Sequence, residues 1–386
     1  MLPLLTLLTS LAVPAVLTPE DAVRAALASD PALAARLADV EAATGLRRES
    51  VLFSRNPEVD VSVSTDGTRR TGSLVQPLSL TGEGRHRARS ARAGLDAAKA
   101  AAERARFESA ATTRRVYARA VVSRELLRFA EEDRALLARL RGVAEARVAA
   151  GEGIDLDLRL ARLEEARAMA AWLEAQAGAS AADADLAALI GMTPGELAHD
   201  PLVAGPAEQG DRNPRSDLLA AKKTTESARA ALARERAAVI PAVGLGIFYE
   251  KDGGRAIFGP AATITVPLWN RNQSRVGAAR GILKLAEVTE ASIAARANTE
   301  EAHAEERLRV ADESLTTLAP DIGAEAAPAL QAIEVLFTSG EANLSDTLLL
   351  RFRVVEGERA WIEARAAVAV ARIDVALARQ SASLLP

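Results

Sequence analysis

Few residues in this sequence have the types and spacing to do chemistry, and the familiar arrangements are missing. The only histidines are His86, His199 and His303. No two share the i,i+4 spacing that sets paired imidazoles on one helix face, so no classical zinc site follows. The chain has no cysteine, hence no disulfide framework, no thiolate metal site and no lipidated N-terminal cysteine. No phosphate loop, nucleophile elbow or clustered acid–base pair occurs. Charges such as Glu164, Glu165 and Arg167 read as solvated helix surface. The expectation is no enzyme, no cofactor and no resident metal. Two acids stand out by position: Asp157 lies six residues after Gly151, and Asp346 six after Gly340. By themselves both favour a helix N-terminus, through capping and the helix dipole.

The elements that must position these acids are long helices. The chain has 386 residues, with 48 Lys plus Arg against 52 Asp plus Glu, so no basic excess points to nucleic acid. Aromatics make up only 3%, while alanine, leucine and charged residues dominate, the composition of long helices and coiled coils. From Glu83 to about Ala150 no proline interrupts a helical pattern on the order of 100 Å long. Val122, Leu126, Phe129, Leu136, Leu140 and Val143 trace a seven-residue repeat, with Asp133 in its one polar slot. Gly151-Glu152-Gly153 breaks the helix, and a second one returns from about Asp155 to Ile190.

Ahead of these helices lies a strand pair. Val59, Val61 and Val63 alternate with Asp60, Ser62 and Ser64, a turn follows at Asp66-Gly67, and the return strand runs through Leu80, giving a hairpin over 58–80. The chain then repeats the plan. Asn213-Pro214 matches Asp30-Pro31 at an offset of 183, Pro267 matches Pro77 at 190, and Gly340 matches Gly151 at 189. The second hairpin, over 242–267, turns at Asp252-Gly253-Gly254 and ends in a corner, Val266-Pro267-Leu268-Trp269-Asn270-Arg271-Asn272-Gln273. Pro77 and Pro267 cannot donate to a sheet ladder and mark strand ends. Asn270 and Asn272 are candidate caps for the next helix. That helix, from about Ser274, carries Pro320 and Pro328, which should kink or break it. The last helix starts at Asn343 and runs to about Ser381, with an apolar stripe at Leu348, Phe352, Val355 and Ile362.

The domain reading is a signal peptide over 1–17, a first repeat over 18–190 with a helical hairpin at 83–190, and a linker over 191–212. A second repeat covers 213–386, with a helical hairpin at 274–381. Leu2 to Leu17 is apolar, with Val13-Pro14-Ala15 offering small residues for cleavage, although no Lys or Arg precedes it. Four strands per chain cannot close a barrel, and their edges would stay unpaired. Their alternation and length approach those of strands that cross a bilayer. Three chains would pool 12 strands. Tyr249, Phe248, Phe258 and Trp269 are candidates for an interfacial aromatic belt.

Taken together, the duplication, both hairpins, the long coils and both glycine turns resemble the outer-membrane efflux protein family, the TolC-like trimeric channel-tunnels. The corner from Val266 to Gln273 is most similar to the heavy-metal efflux branch (CzcC/CusC-like). The resemblance implies a mainly α protein with a small β part. Three chains would form a 12-strand barrel in the outer membrane, with an α-helical tunnel in the periplasm. It implies passive conduction of substrates, heavy-metal cations on the branch reading, from an inner-membrane pump of the RND type through a periplasmic adaptor. Asp346 matches the family position that forms an acidic gate ring, and Asp157 is its repeat counterpart. A second family acid, one turn later, is Leu349 here. Gly151, Gly153, Ser339, Gly340 and Leu344 lie on the turns that would meet the adaptor. The competing expectation is a coiled-coil scaffold of the cell envelope without a channel. Detergent dependence separates the two.

Overall fold

The computed structural model describes residues 16–47, 56–65, 67–78, 82–206, 212–239, 242–265, 271–318 and 322–386. The elements in chain order are β1 (Val16–Leu17), α1 (Pro19–Ser29), α2 (Pro31–Arg47), β2 (Glu58–Val63) and β3 (Arg69–Leu78). Next come α3 (Glu83–Ala149), α4 (Asp155–Ile190), β4 (Glu196–Leu197), α5 (Ser216–Ala237), β5 (Ala242–Asp252) and β6 (Arg255–Thr265). The chain closes with α6 (Gln273–Thr317), α7 (Ile322–Ser339) and α8 (Leu344–Ala378). Short 3₁₀ turns cover Pro201–Ala204 and Ala382–Leu384. No described helix is long and apolar enough to cross a membrane.

The chain folds as two compact units, and neither is one of the sequence repeats. The first comprises 1–31, 106–213 and 299–386; the second comprises 32–105 and 214–298. Each draws on both repeats, because the apolar face of one repeat is covered by the other. In the first unit Leu136, Leu137 and Leu140 of α3 pack with Ala161 of α4, Phe337 of α7 and Leu344 of α8. A second cluster joins Tyr117 and Val121 of α3 to Leu186 of α4, Ala22 of α1 and Leu197 of β4. In the second unit the hairpins merge into one antiparallel sheet of order β2-β3-β5-β6.

Several expectations shift. The described part of the stretch read as a linker, 191–206, is structured: β4 pairs in parallel with β1, and Leu197 and Ala204 are buried. Its Asp200 caps the following 3₁₀ turn, accepting from the Leu202 amide at 2.8 Å. The Tyr117 hydroxyl bonds the Leu17 carbonyl at 2.7 Å and accepts from the Ala198 amide at 3.0 Å, so the apolar neighbours are anchored by a satisfied polar group. Residues 1–15, with the Val13-Pro14-Ala15 cleavage motif, lie outside the described residues. A boundary after Leu17 would remove β1, whereas one after Ala15 keeps it. After the corner, α6 ends at Thr317 and α7 begins at Ile322; Pro320 lies outside the described residues. Pro328 sits inside α7 without ending it. Of the α8 stripe, Ile362 is buried but Phe352 is exposed.

Candidate functional site

The two helix turns of the first unit are copies of each other to the hydrogen bond. Gly151 and Gly340 take φ of 75° and 84°, the left-handed region that glycine enters without a Cβ penalty. The Gly151 amide bonds the Val148 carbonyl, and the Glu152 and Gly153 amides both bond the Arg147 carbonyl. At the second turn Gly340 bonds Phe337, and Glu341 and Ala342 both bond Leu336. A Cβ on Gly153 would lie 2.8 Å from the Val148 nitrogen, so glycine is required there by space rather than by φ. The turns are tied together by Arg147. Its Nη2 donates to the Phe337 carbonyl at 2.6 Å, and its guanidinium lies 4.8 Å from the Phe337 ring centroid. Arg139 adds a two-bond pair with Glu334, at 2.5 and 2.9 Å. Neither arginine was singled out by sequence, because each acts across 190 or 195 residues.

The two aspartates occupy equivalent places on equivalent helices, with different surroundings. Asn343 caps α8: its side-chain oxygen accepts from the Asp346 amide at 2.9 Å, and its Nδ2 donates to the Asp346 carboxylate at 2.8 Å. Asp346 is exposed. At the matching position before α4 stands Ile154, which supplies no side-chain cap, and Asp157 is half-buried. Both aspartates lie in the first turn of their helices, and only Asp346 is joined to a side-chain cap. Leu344 is fully buried among the helices, which corrects its expected place on a partner-facing surface. Ser339, Gly340 and Gly151 are exposed. The first turn also presents Ile154 and Leu156 to solvent.

In the second unit the cross-strand register sorts the sheet residues into two faces, since directly paired residues point the same way. One face carries Val59–Leu74–Ile247–Pro260 in one row and Val61–Gly72–Tyr249–Phe258 in the next. Towards the helices it continues through Leu245 and Ile264. In these rows it is apolar across all four strands and exposed: Val61 is 73% and Phe258 70% accessible. The next row towards the hairpin turns, Val63–Arg70–Lys251–Ala256, brings two cations to the same face. The other face is polar, with Asp60, Ser73, Ser62, Thr71 and Glu250. Ser62 and Thr71 share a hydrogen bond of 2.7 Å, and Arg69 pairs with Glu250 at 2.6 Å. Tyr249 and Phe258 sit side by side on the apolar face. Phe248 does not join them: it lies on the polar face, across Gly259, where a Cβ would meet its Cε1 at 2.8 Å. Trp269 lies outside the described residues.

At the corner, Pro267 and Asn270 lie outside the described residues. Pro77 is the penultimate residue of β3 and pairs only with Gly244 of β5, past the end of β2. One side of the strand is open there, so its missing N–H disrupts no second ladder. Asn272 turns the chain with φ of 60°. Its Nδ2 donates to the Glu235 carbonyl at 2.9 Å and carboxylate at 2.8 Å, locking the start of α6 to the end of α5. This bond first, then the Arg234 guanidinium, holds the Glu235 carboxyl below the ordinary carboxylate range. Among the described residues no cluster of three or more His, Cys, Asp or Glu could hold a metal.

This arrangement, a two-faced open sheet with duplicated long helical hairpins, has close structural counterparts. CusC, solved in connection with folding and transmembrane channel formation, superposes with a TM-score of 0.77 at 16% identity, over 94% of this chain and 92% of its own. The fold is that of the outer-membrane efflux channels. The outer membrane protein VceC of Vibrio cholerae gives 0.73 at 18% identity, over 94% and 96%. The open-state outer membrane channel MtrE of Neisseria gonorrhoeae gives 0.70 at 20%, over 95% and 89%. No protein-family profile matches the chain, and no curated protein matches it. At these identities the likeness is one of fold.

Proposed function

We propose that this chain is the outer-membrane channel of a tripartite efflux system, acting as a passive duct. The observation that carries the reading is the sheet: a continuous exposed apolar face on one side, a polar face on the other, and two open edges, β2 and β6. Water leaves such a face and such edges uncovered, at a cost that lipid and neighbouring strands remove. Three copies would close a 12-strand barrel with the apolar face to lipid and the polar face to an aqueous lumen. The apolar N-terminal stretch, expected as a signal over 1–17, would direct export, with the cut falling before Val16 so that β1 survives. The helical unit would stand in the periplasm, its turns meeting an adaptor that couples the duct to an inner-membrane pump of the RND type.

Asp346 is the proposed gate residue. It is exposed beside a turn, and a three-fold arrangement would bring three like charges around one axis, where they attract cations and repel one another unless screened. The cargo proposed is heavy-metal cations in transit, a reading that rests on the resemblance of the corner motif to the heavy-metal efflux branch. The test is conductance in planar lipid bilayers with Asp346→Ala, and with Asp157→Ala as control. Small cation-selective currents that rise in Asp346→Ala and stay unchanged in Asp157→Ala are expected. A protein that stays soluble without detergent and conducts nothing would overturn the reading and favour the scaffold.

A further inference from the structure

The seam of α8 carries charge where a coiled coil normally carries apolar side chains. Leu344, Arg351, Glu358 and Arg365 recur every seven residues and all are buried, the spacing that keeps residues on one helix face. Arg351 is matched: its Nε donates to Asp133 of α3 at 2.6 Å, its Nη2 bonds the other carboxylate oxygen, and Glu164 of α4 lies 3.6 Å away. Arg365 is fully engaged as well. It reaches Glu125 of α3 at 3.1 Å and Asp200 at 2.7 Å, and its guanidinium lies 4.1 Å from the Trp361 ring centroid.

Glu358 lies between these two arginines, one seven-residue step from each. It is 6% exposed, and its Oε2 is buried without a partner; so is the Oε2 of Glu125. Arg128 and Glu132 of α3, both largely exposed and paired with each other at 3.5 Å, also bear on this pair. The cavity that Glu125 lines carries Arg124, held by Asp183, with Glu196 and His199. Glu125 and Asp200 thus share one buried arginine, Glu358 lies within its field, and one oxygen of each glutamate has no donor among the described residues. Burying an uncompensated charge costs far more than burying the neutral acid. Burial pushes the Glu125 carboxyl above the ordinary range against the pull of Arg365. Burial, then the like charge of Glu125, pushes Glu358 up too.

We propose that Glu125 and Glu358 form a proton-binding site in the α3–α8 seam, which takes up a proton as its surroundings acidify and then holds the two helices more tightly. The sign follows from linkage: groups whose folded pKa is raised contribute stability that is full in acid and is lost as pH rises through the folded value. Because α3 belongs to the first helical hairpin and α8 to the second, mild acid would oppose their separation. That consequence for gating rests on the duct reading; the proton site does not.

The test is thermal unfolding of the full chain in detergent, from about pH 8 to about pH 5, for wild type and Glu358→Gln. Glutamine imitates the protonated acid. The variant should melt about 2 °C higher than wild type at the alkaline end, with the gap closing as pH falls. An equal loss at every pH would make Glu358 merely structural and overturn the proposal. A gap that follows Na⁺ or Mg²⁺ concentration rather than pH would overturn it in favour of a bound cation. Infrared spectra of the wild type provide a check that needs no variant: a buried carboxylic-acid C=O band should grow on acidification, and its absence at the acid end overturns the proposal. Silent bilayers with an intact pH-dependent gap would remove the duct reading alone.

Discussion

At the scale of single residues, the corner at Asn272 shows how one side chain serves two purposes. Asparagine tolerates the left-handed backbone better than most residues, and its amide reaches a carboxylate that ends another helix. Glu235 has a folded pKa below its unfolded one. Its contribution to stability is therefore present above the unfolded value and lost as pH falls through the folded value. Asn272→Gly keeps the backbone conformation available and removes only the amide. It should cost about 1 kcal/mol near neutrality, with the difference from wild type shrinking in acid, as chemical unfolding at several pH values would show. The tip acids teach the same lesson in reverse. Asp157 and Asp346 are equivalent by spacing, yet only the second has an asparagine cap beside it, because Asn343 has Ile154 as its counterpart.

At the scale of elements, period-2 alternation in the strands was readable without knowing any partner. What alternation left open was which strands would lie side by side. The observed order aligns Val61, Gly72, Tyr249 and Phe258 across four strands, turning four separate apolar edges into one sheet face. A surface substitution on a water-soluble sheet usually changes stability little. On a lipid-facing strand a lysine costs about 2–4 kcal/mol near the bilayer midplane. Val61→Lys should therefore sharply reduce the fraction of protein that folds into lipid vesicles, while Ser62→Lys, on the polar face, should insert like wild type. Equal insertion of both would argue against the proposed orientation of the sheet. The helices show a parallel limit. Their seven-residue repeat was legible on α3, but the charged register of α8 was hidden, because Arg351 and Arg365 look like solvated surface until their partners are known.

At the scale of the whole molecule, β2 and β6 are the open ends of the sheet. Exposed edges pair with whatever strand is offered, and a closed symmetric ring is the assembly that leaves none. With no native cysteine, one cysteine placed in β2 (Ser62→Cys) and one in β6 (Thr263→Cys) report on that closure cleanly. Both positions lie on the polar face. Oxidation in the membrane should give covalent species that stop at the trimer; a monomer alone, or an unlimited ladder, would contradict a closed ring. The two compact units carry a related message. Each combines pieces of both repeats, so truncation at the expected linker, 191–212, would cut through buried packing around β4 rather than between independent domains.

By itself the sequence determined what is local: helix starts at Pro19 and Asp155, glycine turns at Gly151 and Gly340, the strand alternation, and the duplication that relates the two halves. Each of these depends on φ, spacing or capping within a few residues, and so is encoded where it occurs. Only the tertiary structure decided which distant residues meet. Asp133 finds Arg351 across 218 positions, Arg147 finds Phe337 across 190, Leu344 turns inward, and the stretch around β4 becomes part of the core. Those outcomes depend on how helices and strands from both repeats pack to cover one another's apolar surface, a choice that no single segment makes alone.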